Sequence, residues 1–259
     1  MGSIEVPDDQ GRKAILGTFK VFHNGVMTAK LIAQFLLQSS PLIDFDFNIT
    51  HDGDWVAIAF QETFKQLSDT PAPIVGIDVM EIHLPPFESS VLDFVDTMDM
   101  TLTSLERQWI LSDYTQDIFV TQDACPDDLS RQEYDQLKKL YILWTYKEAF
   151  TKAKGLGLGY DFQTIEIIKE ADKVSVTAAG KPEKGLKIRQ MILPPGRSAA
   201  RKTGGGTGLS SLLVVFQLTE DEAIEMKEID IETAQYEKLL RLWTMEDLVE
   251  ASKSAMGQG

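Results

Sequence analysis

Apolar positions recur along this chain with two periods, and the switches between them mark the elements. Met27 to Leu37 places Leu31, Ile32, Phe35 and Leu36 at helical spacing after Asn24-Gly25, which predicts a helix. The period then drops to two. Phe45-Asp-Phe-Asn-Ile-Thr50 alternates, Asp52-Gly53 is a favoured two-residue turn, and Trp55-Val-Ala-Ile-Ala-Phe60 reads as the returning strand of a hairpin. Pro71-Ala-Pro73 punctuates the chain, and Ile74 to Met80 follows as a mostly apolar strand with Asp78 inside it. A carboxylate within a buried strand is costly unless it is paired or binds a metal; on the wet face of an edge strand it costs little.

Helical spacing returns at Ser90 to Met100 and at Leu102 to Leu111, the second with Thr103 and Glu106 as a capping box. A longer helix is predicted from the capping box Ser130/Glu133 to Gly155, a left-handed stop after two basic residues. On it, Leu137, Tyr141 and Trp144 share a stripe that Glu148 and Lys152 continue. That pair reads either as a solvated i,i+4 ion pair worth about 0.3–0.5 kcal/mol or as chemistry held on one helix face. Strand patterns occupy Thr164–Ile168, Lys173–Ala178 and Ser211–Gln217. Residues 194–208 form a basic, glycine-rich loop whose Lys202-Thr203 stands in the wrong order for a phosphate loop. A final amphipathic helix is expected over Glu232 to Lys253.

Composition narrows the function. The 259 residues are 43% hydrophobic and 25% charged, as in soluble globular proteins, and the net charge of −15 argues against a nucleic-acid backbone as partner. One local basic pocket for a phosphorylated small molecule remains compatible with that charge. No apolar run is long enough for a membrane span, and the start lacks a signal-peptide core, so no membrane partner is expected. Cys125 is the only cysteine, which rules out an internal disulfide and suggests a reducing, cytoplasmic setting. Three histidines and one cysteine argue against zinc.

Three blocks then line up: Phe47-Asn-Ile-Thr-His-Asp-Gly53, Val75-Gly-Ile-Asp78 and Trp144-Thr-Tyr-Lys-Glu-Ala-Phe-Thr-Lys152. In order and spacing they resemble the signatures of the Sfp-type 4′-phosphopantetheinyl transferases: Phe-Asn-x-Ser/Thr-His, Gly-Ile/Val-Asp and Trp-x-x-Lys-Glu-x-x-x-Lys. Gly155-Leu-Gly-Leu-Gly-Tyr160 and Asp78-Val-Met80 are similar to the eukaryotic subgroup that activates aminoadipate reductase. The resemblance implies an α+β fold, a pseudo-dimer of two similar α+β halves. These would be residues 1–73, a shortened N-terminal half, and residues 74–259, carrying the metal and catalytic residues. It also implies a monomer that moves 4′-phosphopantetheine from coenzyme A to a serine of an apo acyl or peptidyl carrier protein, or of aminoadipate reductase, releasing 3′,5′-ADP.

Residue by residue, the resemblance makes Asp78 and Glu148 ligands of Mg²⁺, and Glu148 also the general base for the serine hydroxyl. Lys152 would neutralise charge on the transferring phosphate, and Thr50 and His51 would contact coenzyme A phosphates. Where many bacterial members carry a second acidic residue this chain has Met80, and Asp52 would complete the metal shell instead. The family's Gly-Lys/Arg-Pro block before the hairpin is replaced by Ser39-Ser-Pro41, and few residues precede the Gly-Ile-Asp block. A second reading follows: a non-catalytic or weakly active relative that docks carrier proteins but binds coenzyme A poorly.

Overall fold

A computed structural model describes residues 14–20, 43–53, 55–64, 75–113, 125–157, 159–170, 173–194, 210–219, 222–237 and 239–243. The helix expected over Met27–Leu37 and the loop at 194–208 fall outside these residues almost entirely. The architecture is mixed α and β. Strands β1 (Ala14–Lys20), β2 (Ile43–Asp52) and β3 (Trp55–Phe64) precede β4 (Val75–Glu81). Helices α1 (Val91–Thr97), α2 (Ser104–Leu111) and α3 (Arg131–Ala153) follow. Then come β5 (Ile165–Glu170), β6 (Lys173–Ala178), β7 (Lys181–Pro182), β8 (Leu186–Leu193), β9 (Ser211–Leu218) and β10 (Ile224–Glu228). Helix α4 (Ile231–Tyr236) and β11 (Leu240–Trp243) complete the order.

The strands form three sheets, ordered β11-β1-β3-β2, β10-β8-β9-β4 and β5-β6-β7. Strands β2 and β4 are therefore edges of two different four-stranded sheets. The hairpin is as predicted with one shift: Asp52 pairs with Trp55, so Asp52 is the last strand residue and the turn begins at Gly53. Gly53 takes φ +52°, the left-handed region that favours glycine. The expected C-terminal helix is corrected. Within the described part of that span only Ile231–Tyr236 is helical, and Leu240–Trp243 pairs in parallel with β1; residues 244–253 of the expected helix lie outside the described residues.

The second sheet is packed on both faces. Leu212, Val214 and Phe216 of β9 join the core around α3, whereas Leu213 and Val215 join the one containing Trp55, Ala57 and Ala59 of β3. On β4, Val75, Ile77 and Val79 enter this second core. By the alternation of a strand, Gly76, Asp78 and Met80 then look toward α3. Helix α3 is buried almost all round, and both of its ends were legible. Ser130 and Glu133 form the capping box. At the other end Gly155, φ +64°, donates to Lys152 O and Leu156 N donates to Thr151 O, the paired bonds of a Schellman stop.

Candidate active site

The site begins with a missing side chain. A Cβ on Gly76 would lie 2.1 Å from Ala149 O and 2.4 Å from Ala153 N, so only glycine lets β4 and α3 approach this closely. The approach brings Asp78 under the last turns of the helix. Lys152 Nζ donates to Asp78 Oδ1 at 2.6 Å and to Ile77 O at 3.2 Å, and lies 3.5 Å from Thr50 Oγ1. Thr50, from the neighbouring sheet, donates its hydroxyl to the same Asp78 Oδ1 at 2.9 Å. Glu148, one turn before Lys152, holds its Oε2 4.0 Å from Lys152 Nζ.

Asp78 is buried, yet its second oxygen, Oδ2, has no hydrogen-bond partner. Burial pushes the carboxyl up to about 6, against the pull of Lys152 and Thr50, and the negative charge of Glu148 adds to the rise. Lys152 and Glu148 remain partly open to solvent. The arrangement thus combines two carboxylates and one ammonium at the seam of two sheets, with one buried acceptor left over.

Behind the helix the next-door residue is fixed far more tightly. Lys147 donates to Glu106 Oε2, Thr101 O and Phe162 O at 2.6, 2.7 and 2.9 Å. Glu106 Oε1 accepts from Ile167 N at 2.9 Å, and its Oε2 also caps Thr103 N. This network joins α2, α3 and β5. Burial pushes the Lys147 pKa down, partly countered by Glu106.

The structure brings together four of the residues singled out from sequence: Thr50, Asp78, Glu148 and Lys152. It leaves two out. His51 is exposed, on the opposite face of β2 from Thr50. Asp52 is engaged elsewhere, its Oδ2 accepting from Glu81 N at 2.7 Å. Among the described residues no group of three or more His, Cys, Asp or Glu side chains is placed to hold a metal ion, so Asp52 does not join Asp78 and Glu148 in a ready-made set. Sequence reasoning gave no role to Asn48, which accepts from Ile77 N at 3.1 Å, or to Tyr141, whose hydroxyl donates to His83 O at 2.8 Å. Asn48 stood inside the quoted block, two residues before Thr50 on the same strand face.

Comparison with known proteins agrees with these motifs. Residues 74–190 match the 4′-phosphopantetheinyl transferase superfamily. A 4′-phosphopantetheinyl transferase of Paxillus involutus is 32% identical over 158 residues, covering 59% of this chain and 51% of that protein. The L-aminoadipate-semialdehyde dehydrogenase-phosphopantetheinyl transferase of Homo sapiens is 31% identical over 128 residues, 49% of this chain and 33% of that protein. A 4′-phosphopantetheinyl transferase of Bacillus pumilus is 31% identical over 116 residues, 45% and 34% respectively. The chain spans about half or less of the length of these relatives. The resemblance to that superfamily is thereby shown; the Val75–Asp78 and Trp144–Lys152 blocks, with Asp78, Glu148 and Lys152, lie inside the matched residues, whereas the Phe47–Gly53 block with Thr50 lies before them.

Proposed function

We propose that the chain transfers 4′-phosphopantetheine from coenzyme A to a serine of an apo carrier protein. The observation that carries this reading is the meeting of Asp78, Glu148 and Lys152 where β4 passes under α3. The residues present fit a Mg²⁺ ion: Asp78 offers a buried, unpartnered oxygen and Glu148 a second carboxylate, the hard donors that Mg²⁺ takes together with water and phosphate oxygens. Asp78 and Glu148 would hold it, and when bound it supplies charge neutralisation at the pyrophosphate.

The chain's own groups do the rest. Glu148, partly open to solvent, takes the proton from the serine hydroxyl as the oxygen attacks phosphorus. The new bond is serine oxygen to phosphorus; the bond that breaks joins that phosphorus to 3′,5′-ADP, which leaves with the electron pair. Lys152, already held on the Asp78 side by Ile77 O, presents its ammonium to the charge spread over the transferring phosphate. The names of several relatives specify L-aminoadipate-semialdehyde dehydrogenase, so its carrier domain is the acceptor to try beside acyl and peptidyl carriers.

The test is mass spectrometry of purified apo carrier proteins incubated with the chain, coenzyme A and Mg²⁺. The expected product is a carrier heavier by one phosphopantetheine, absent when Mg²⁺ is chelated. Carrier that binds the chain yet gains no mass would instead favour a docking protein without transferase activity.

A further inference from the structure

Strand β4 is an edge strand, yet its open edge is not open. In a strand, successive N–H groups point to opposite sides. Strand β9 pairs along one side of β4, and just beyond β4 Ile82 N donates to Ser210 O at 2.9 Å, on that same side. The amides of the other side belong to Val75, Ile77, Val79 and Glu81. Unpaired backbone donors in a buried position are costly, and edge strands normally leave them to water or to another strand. Here the last three each meet a side chain of β2. Ile77 N donates to Asn48 Oδ1 at 3.1 Å, Val79 N to Thr50 Oγ1 at 3.4 Å and Glu81 N to Asp52 Oδ2 at 2.7 Å.

The spacing is regular: every second residue of β2 receives every second amide of β4, and both numbers rise together, so the two edges run in the same direction. A slip of one residue would present Ile49 and His51 instead, of which the first has no acceptor in its side chain. The middle position asks most of its residue. The Thr50 oxygen accepts from Val79 N while its proton goes to Asp78 Oδ1, so only a side chain that both accepts and donates fits there. At the end, Gly53 passes beneath the Glu81 carboxylate, where a Cβ would lie 2.6 Å from Oε2.

We propose that Asn48, Thr50 and Asp52 are positioning residues, a side-chain zipper that joins the edges of two sheets and fixes Asp78 relative to Lys152 and Glu148. On this proposal Thr50 serves the site through Asp78 rather than by holding coenzyme phosphate. Asp52 serves through the Glu81 amide rather than as a metal ligand. What the positioning is for rests on the transferase reading; the zipper does not.

Two measurements on the full chain separate them. The first is residue-resolved amide hydrogen exchange without coenzyme or metal. Thr50→Val should speed exchange at Val79, Asp52→Ala at Glu81 and Asn48→Ala at Ile77, each by roughly three- to tenfold, as expected for loss of one hydrogen bond. Asp52→Asn, whose amide oxygen still accepts, should leave Glu81 protected. Unchanged protection in all three truncated variants overturns the zipper, whatever the activity. The second is turnover with an apo carrier. Thr50→Ser and Asp52→Asn should recover most of the kcat lost in Thr50→Val and Asp52→Ala, with the coenzyme A KM and the Mg²⁺ half-saturation near wild type. If Asp52→Asn keeps Glu81 protected but needs at least tenfold more Mg²⁺, Asp52 is a metal ligand and its positioning role is overturned. If Thr50→Val raises the coenzyme A KM rather than lowering kcat, Thr50 is a coenzyme contact. Wild-type chain that transfers nothing removes the transferase reading and leaves the exchange result to decide the zipper.

Discussion

Helix α3 carries two lysines that each stand 2.6 Å from a carboxylate, Lys147 against Glu106 and Lys152 against Asp78, and the two pairs differ in everything but that distance. Behind the helix, Lys147 and Glu106 are sealed, with side chains 1% and 0% exposed, and all three ammonium protons have acceptors. On the front, Lys152 is 25% exposed, Asp78 keeps a buried oxygen with no partner, and Glu148 brings a second negative charge within 4.0 Å. A buried pair whose every donor and acceptor is satisfied has nothing to offer a ligand; it fixes the helix. An unfinished pair keeps an acceptor that a further donor or cation could take up. Completeness of hydrogen bonding, more than charge or distance, separates the back pair from the front pair that the proposed transfer would use.

The largest effect expected from breaking this contrast is on stability. Lys147→Met leaves the Glu106 carboxylate buried without its cation and also orphans Thr101 O and Phe162 O. The loss should be about 3–5 kcal/mol, the range for removing one partner of a buried ion pair. It is read as a lowered urea midpoint at constant slope. A loss under about 1 kcal/mol would mean that the sealed network does not hold α3 in place.

On the front of the helix the same kind of change should fall on turnover. Glu148→Gln keeps the shape and should cost about 10²-fold or more in kcat. Because Glu148 meets Lys152 only at 4.0 Å and both are partly exposed, stability should move by less than about 0.5 kcal/mol. Lys152→Ala should also slow transfer. Its stability loss should stay on the order of 1 kcal/mol, the value of an ordinary lost hydrogen bond, because burial already favours the protonated form of Asp78 and Thr50 still donates to it. Activity retained in both variants, with two small and similar stability losses, would return the pair to an ordinary solvated helix face.

The asymmetry between the pairs also tells which parts of the molecule the sequence could reveal. Local signals were legible: both capping boxes, the stop at Gly155, the hairpin and the strand holding Asp78 are set by residues within a few positions of one another. The front pair was legible because its residues sit in motif blocks. The back pair was not. Glu106 was read as a helix cap, which it is, but the same side chain also receives Lys147 from an element far along the chain. Nothing in the helix pattern around Lys147 distinguishes a buried lysine from a solvated one. Strand β8 was missed for a related reason: Leu186 to Arg189 alternate, but Gln190 then puts a polar side chain on the buried face, where Tyr146 donates to it. The final strand was missed because Leu240–Trp243 finds its partner in β1, and tertiary pairing overrode an amphipathic pattern.

The smallest expected effect makes the sharpest control. Lys184 and Glu222 also form an ion pair, 2.9 Å apart, but their side chains are 60% and 82% exposed. Water competes for both charges, salt screens them, and holding two long side chains together costs rotamer freedom. Lys184→Ala should therefore shift stability by no more than about 0.5 kcal/mol and leave transfer to an apo carrier unchanged. Measured beside Lys147→Met, it holds the contact distance nearly constant while burial and saturation change. Should Lys184→Ala cost as much as Lys147→Met, distance alone would set the worth of these pairs. The unsatisfied oxygen of Asp78 would then lose its standing as the mark that separates the front of α3 from the back.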